Sequence, residues 1–159
     1  MKRIIVGTAI LAIFSGSLPF IFSSPASAAV RWVRARNGYI PPGAVQSNRN
    51  VFVCAYGDAI GKLNRGGDRC YVPYGGRELS YQTYDVLVAD RWQWVPLTGD
   101  IPRGAVSIPA TNGERLYVCA AFLGDAWLPG KYLPSHDVCY VPNGGKEIGI
   151  RDFSVLIAQ

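Results

Sequence analysis

Histidine occurs once in these 159 residues, at His136, and methionine only at position 1. A single imidazole cannot build a multi-histidine metal site, and any histidine-activated nucleophile would have to use that one residue. Cysteine is sparse too: four residues, none in C-x-x-C spacing, which excludes zinc ribbons and thioredoxin-like redox motifs. Glutamate stands only at Glu78, Glu114 and Glu147, so paired catalytic carboxylates have few candidates. There is no G-x-S-x-G, no P-loop and no G-x-G-x-x-G. Nothing here calls for a cofactor or a metal, and the reading is non-enzymatic. Charged residues are few (17%) beside 49% apolar and 12% aromatic, a balance that buries a core rather than leaving the chain disordered. No apolar run beyond position 29 approaches the roughly 18 residues of a membrane-spanning helix. No segment longer than ten residues combines helical periodicity with capping residues.

The chain opens with Met1-Lys2-Arg3, an almost wholly apolar stretch from Ile4 to Phe22, and a small-residue tail ending in Ala26-Ser27-Ala28. Basic cap, apolar centre and A-x-A site are the three regions of a secretory signal peptide, expected over residues 1–28. Its removal leaves residues 29–159 and predicts a secreted or extracytoplasmic protein, periplasmic in a Gram-negative-type bacterium, with no membrane span after cleavage. Losing Lys2 and Arg3 also takes the net charge from +5 to +3, with 14 basic residues against 11 acidic. Arg31, Arg34 and Arg36 cluster beside Trp32, but the basic residues are otherwise scattered, which reads as solvated strand edges and not as a nucleic-acid surface.

An internal repeat dominates the rest. Trp32-Val33 returns as Trp94-Val95, and Ile40 to Val45 as Ile101 to Val106. Phe52-Val53-Cys54-Ala55 returns as Tyr117-Val118-Cys119-Ala120. From Gly61-Lys62 the match to Gly130-Lys131 runs gap-free to the end, through Cys70-Tyr71-Val72-Pro73 against Cys139-Tyr140-Val141-Pro142 and Gly75-Gly76-Arg77-Glu78 against Gly144-Gly145-Lys146-Glu147. The copies span residues 32–90 and 94–159. The second is longer in two places, before Tyr117 and between Cys119 and Gly130, where loop tips and binding edges are expected.

Short β-branched and aromatic runs punctuated by Gly and Pro predict strands at Val51–Cys54, Arg69–Val72 and Tyr84–Val88, with partners at Leu116–Ala121, Val138–Val141 and Phe153–Ala158. The Gly-Gly pairs are turn chemistry. The fold class is all-β with little helix: two repeats packed about a pseudo-two-fold axis as one domain, with Trp32, Trp92, Trp94 and Trp127 as large core fillers. Four cysteines allow three pairings. Each copy carries one on its central strand and one before Tyr-Val-Pro, so Cys54–Cys70 and Cys119–Cys139 are the simplest pairs, with a cross-copy arrangement and free thiols as the rivals. His136 sits among Pro134-Ser135-His136-Asp137, a turn sequence, and sequence neighbours rarely make a triad. Glu78 and Glu147 follow Gly-Gly-basic in both copies, which favours a structural or binding role over acid–base work.

The ordered set Trp-Val, Ile-Pro-x-Gly-Ala-Val, aromatic-Val-Cys-Ala, Pro-Gly-Lys, Tyr-Val-Pro-x-Gly-Gly-basic-Glu and Tyr/Phe-x-Val-Leu resembles the DM9 repeat family over Trp32 to Gln159. Copy two matches best, with Pro129-Gly130-Lys131 in place; copy one has Ile60-Gly61-Lys62. The resemblance implies a β-rich pair of intertwined repeats, in a family that includes mannose-binding lectins and a module ahead of a pore-forming domain in natterin-like toxins. It also implies that the Pro-Gly-Lys lysine binds sugar hydroxyls, which carries over to Lys62 and Lys131. The aspartate that accompanies it in the family's variable loop has no counterpart here; Glu114 is the nearest carboxylate. Lysine supplies donors only, so acceptors must come from neighbours such as Asn48, Asn112 and Glu114. The expected ligand is a glycan or glycoconjugate. Two such sites per chain, or more in a homodimer, would gain from avidity. The alternatives are a cell-surface structural or interaction protein with a degenerate sugar site and, last, a secreted hydrolase built on His136.

Overall fold

The computed structural model describes residues 29–159, so the leader expected over 1–28 lies outside the described residues. The first repeat forms β1 (Val30–Arg36), β2 (Gln46–Asn48), β3 (Val51–Tyr56), β4 (Ala59–Asn64), β5 (Cys70–Tyr74), β6 (Arg77–Tyr81) and β7 (Thr83–Ala89). The rest of the chain forms β8 (Trp92–Pro96), β9 (Ser107–Pro109), β10 (Arg115–Leu123), β11 (Ala126–Leu133), β12 (Val138–Asn143), β13 (Lys146–Ile150) and β14 (Phe153–Ala158). Among the described residues there is no helix. The protein is all-β.

All 14 strands share one antiparallel sheet, ordered β1-β7-β3-β4-β5-β6-β13-β12-β11-β10-β14-β8, with β2 added to β3 and β9 to β10. Strands equivalent by repeat stand at mirrored places in that order, and the halves join at β6–β13 through the Arg77–Lys146 pair. The sheet curls back on itself, so that β4 packs against β11 although four strands separate them along the path. This curl creates the middle of three apolar clusters, where Val45, Val53, Ile60 and Leu87 of the first repeat meet Val106, Leu116, Val118 and Leu156 of the second. The outer clusters are drawn one from each repeat. Trp32, Trp92 and Trp94 pack against the shared cluster, but Trp127 does not join a core cluster and is 40% exposed.

Two local features place the site. Gly61-Lys62 and Gly130-Lys131 lie inside β4 and β11, where the glycines are needed for strand approach. A Cβ at Gly61 would fall 1.9 Å from the Tyr71 carbonyl oxygen, and one at Gly130 2.0 Å from that of Tyr140. The four extra residues between Cys119 and Gly130 do not enlarge a loop. They extend the β10–β11 hairpin by two rungs, Phe122–Trp127 and Leu123–Ala126, beyond the length of β3–β4. Both hairpins turn on Gly-Asp, at Gly57-Asp58 and Gly124-Asp125, with the glycine at positive φ.

Cys54–Cys70 clips β3 to β5 and Cys119–Cys139 clips β10 to β12, the within-repeat pairing. Closing loops with separations of 16 and 20 residues contributes about 3 kcal/mol each in the chain-entropy account.

Candidate functional site

Lys62 and Lys131 are each 8% exposed. An isolated ammonium at that depth is costly, and both are paired. Lys62 Nζ lies 3.1 Å from Glu78 Oε1, and Lys131 Nζ lies 3.2 Å from Glu147 Oε1. Each glutamate then reaches across to the other repeat: Glu78 Oε2 accepts from the Gly145 backbone N–H at 2.6 Å, and Glu147 Oε2 from Gly76 at 2.6 Å. Backbone bonds from Glu78 N to Gly145 O and from Glu147 N to Gly76 O close the same junction. The Gly-Lys and Gly-Gly-basic-Glu motifs thus form one reciprocal lock across the β6–β13 seam.

Beyond the lock the two lysines differ. Lys62 donates again, at 2.8 Å, to the Pro142 carbonyl of the second repeat. Lys131 has no such backbone acceptor among the described residues. Its ammonium instead stands 5.2 Å from the centre of the Tyr74 ring and lines an open cleft of about 280 Å³ with Asp58, Asn112 and Glu114. Three of the five residues singled out from the sequence therefore meet in one place. Lys62 and Asn48 stand elsewhere: Asn48 donates to the Trp127 carbonyl of β11 at 2.9 Å and accepts from Asn50 N, so both ends of its amide are occupied.

The cleft is assembled from both repeats. Asp58 comes from the β3–β4 turn of the first, and its carboxylate accepts from the Thr111 hydroxyl (2.8 Å) in the variable loop of the second. The hydroxyl bond is the main cause holding the Asp58 pKa below the usual aspartate value; burial opposes it, and the Thr111 backbone N–H and the Lys131 charge lower it further. Glu114 is held low chiefly by hydrogen bonding at Ser135, whose backbone N–H donates to Glu114 Oε1 at 3.0 Å. Asn112 Oδ1 accepts from Glu114 N, which leaves the Asn112 amide donors for a ligand. Tyr74, 53% exposed, supplies a flat apolar face at the rim.

Asp58, Tyr74 and Thr111 carry no sequence motif, so nothing local singles them out. Asp58 does occupy the same place in its hairpin turn as Asp125, and the four-residue lengthening before Tyr117 marks the loop that meets it. His136 Nδ1 lies 2.9 Å from the Tyr140 hydroxyl, the Ser135 backbone N–H is taken by Glu114, and Asp137 faces Arg151 at 3.5 Å.

The family profile described as DM9 repeat matches residues 50–150. Natterin-4 of Thalassophryne nattereri is 33% identical over 147 residues, which cover 85% of this chain and 35% of that protein. The chain thus spans about a third of that relative's length. The crystal structure of the nematode sperm cell motility protein MFP2B matches with a TM-score of 0.65 at 15% identity, over 82% of this chain and 44% of that one, a likeness of fold alone.

Proposed function

This chain belongs to the DM9 repeat family, and from that premise we propose that it is a non-catalytic carbohydrate-binding protein whose ligand occupies the Lys131 cleft. One observation carries the reading: a buried ammonium, two carboxylates and an amide converge on an open cleft beside an exposed tyrosine ring. A sugar hydroxyl both donates and accepts. Lys131 and the Asn112 amide offer donors, Asp58 and Glu114 offer acceptors, and Tyr74 offers an apolar face to ring C–H groups. Asp58 also supplies, from the opposite repeat, the aspartate that the variable loop lacks.

The electrostatics narrow the ligand class. Glu147 already balances Lys131, so Asp58 and Glu114 leave the cleft net acidic. Neutral hexoses fit such a site and anionic glycans are repelled from it. A mannose-type preference is the first specificity to test. The two disulfides suit an oxidising compartment, in keeping with an exported protein. The Lys62 position favours the structural reading for its own repeat: it is spent on Glu78 and Pro142, so the chain carries one such lysine site and not two.

A glycan array followed by calorimetry with the folded protein tests this. Neutral glycans should bind, Lys131→Ala should abolish binding, and Asn112→Asp, which keeps the acceptor for Glu114 N and removes the amide donors, should weaken it with the fold intact. Absence of binding across the array, or unaltered affinity in both variants, refutes the proposal.

A further inference from the structure

A second cleft, of about 370 Å³, lies apart from the lysines and is lined by Ser47, Trp94, Pro96, Ala120, Trp127 and Ser154. We propose that it is a separate ligand site that takes the ring of a neutral pyranose between its tryptophan walls.

The cleft exists because the second repeat differs from the first at two points. In the first repeat the paired cross-strand positions are Arg34 and Asp85, whose side chains form an ion pair at 3.1 Å. In the second the equivalent positions are Pro96 and Ser154, also paired across strands, and two small side chains leave the space open. The other difference is the added Phe122–Trp127 rung, which supplies an aromatic wall that the shorter hairpin lacks. Trp127 is 40% and Phe122 54% exposed, with ring centres 5.9 Å apart, so the lengthened hairpin presents aromatic surface that the core does not use.

Hydrogen bonds from and to β2 brace the cleft before any ligand arrives. Trp94 Nε1 donates to the Gln46 carbonyl at 3.0 Å, and the Trp127 carbonyl accepts from Ser47 Oγ at 2.7 Å and Asn48 Nδ2 at 2.9 Å. The short strand β2 of the first repeat thus fixes the Trp94 ring and the backbone that carries Trp127, which lowers the ordering cost of binding.

The lining chooses the ligand class. No charged side chain lines the cleft, so a charged ligand would find no partner there. Ser154 is 6% exposed and lines the cleft. Ser47 donates its proton to Trp127 and keeps its acceptor lone pairs. A purely aliphatic ligand would offer the serine hydroxyls of the lining no hydrogen bond in place of water, at a cost in affinity. A pyranose ring presents C–H groups to the indoles and hydroxyls at its edge to the serines.

The test uses saturation-transfer NMR and tryptophan fluorescence on the folded protein, with methyl α-mannoside, methyl β-glucoside and methyl β-galactoside as probes. At least one should receive transfer at its ring protons and shift the tryptophan emission. Trp127→Ala should weaken that binding about tenfold or more, Ser154→Ala should weaken it with the fold intact, and Asp125→Asn, at the exposed tip of the same hairpin, should leave it in place. Transfer lost in Asp58→Asn, which keeps the side-chain shape in the lysine cleft, but kept in Trp127→Ala overturns the second site while preserving the lysine cleft. No transfer from any of the three, unchanged binding in both Trp127→Ala and Ser154→Ala, or an emission shift with decanoate and none with the glycosides also overturns it.

Discussion

The ammonium of Lys62 lies 3.1 Å from Glu78 Oε1, with both side chains about one-tenth exposed, and Glu78 passes the interaction on to Gly145 in the other repeat. A pair this deep contributes little over an apolar isostere, yet losing one partner strands the other charge at a cost of about 3–5 kcal/mol. Lys62→Ala should therefore lower unfolding free energy by an amount of that order, and Glu78→Ala by as much or more because the Gly145 N–H loses its acceptor. Urea denaturation measures both. A loss under about 1 kcal/mol in each would show that the pair behaves as an exposed one.

The same lock makes the repeats depend on each other. Residues 29–90 alone would expose Val45, Val53, Ile60 and Leu87, all fully buried against Val118 and Leu156 in the whole chain. Chains of about 60 residues bury too little surface to forgo such a face. Residues 29–90 and 91–159 expressed separately should each lack sharp amide dispersion and cooperative thermal unfolding, and mixing them should restore both. Cooperative unfolding of either half alone would count against interdependence.

What the sequence displays and what it conceals divide along the range of the interactions. Strand runs and Gly-Gly turns are local, so Val51–Cys54 can be read directly, whereas repeat symmetry makes Cys54–Cys70 only the simplest of three pairings until the structure decides it. The glycines of the Gly-Lys pairs have no cause that the local sequence displays. Their real cause is the approach of the Tyr71 and Tyr140 carbonyls, which appears only once β4 and β11 have neighbours. Asp58 is invisible for a related reason. Its partner Thr111 is 53 residues away, and only the curl of the sheet brings the two together. Lys131, Asn112 and Glu114 could be named in advance, but not the repeat that completes their cleft.

The depressed pKa of Asp58 carries a pH dependence. Its folded value lies below the unfolded one of about 3.9, so the ionised form contributes stability that is complete above that value and is lost as pH falls through the folded value. Thr111→Val removes the hydroxyl bond, the largest cause of the depression, and should move the Asp58 midpoint up toward the ordinary value. Carboxyl-carbon NMR titration reads this directly. The acid limb of glycan binding should shift upward with it. An Asp58 midpoint unmoved by Thr111→Val would remove the hydroxyl from the account.

Asp58 and Asp125 occupy the same place in repeat-equivalent Gly-Asp turns, which makes them an internal control for the site. Asp58 meets Thr111 and shares a cleft with Lys131, whereas Asp125 is exposed at the tip of the longer hairpin and lines neither the lysine cleft nor the tryptophan cleft. Asp58→Asn keeps the shape of the side chain but removes its charge. It should weaken neutral-glycan binding at the Lys131 cleft about tenfold, as expected when an acceptor to a sugar hydroxyl loses its charge assistance. Asp125→Asn should leave the affinity unchanged, and both variants should unfold near the parent temperature. Calorimetry on the pair decides the matter: equal effects from the two would assign the carboxylates a general electrostatic role, and no effect from Asp58→Asn would leave Lys131 without its cross-repeat acceptor.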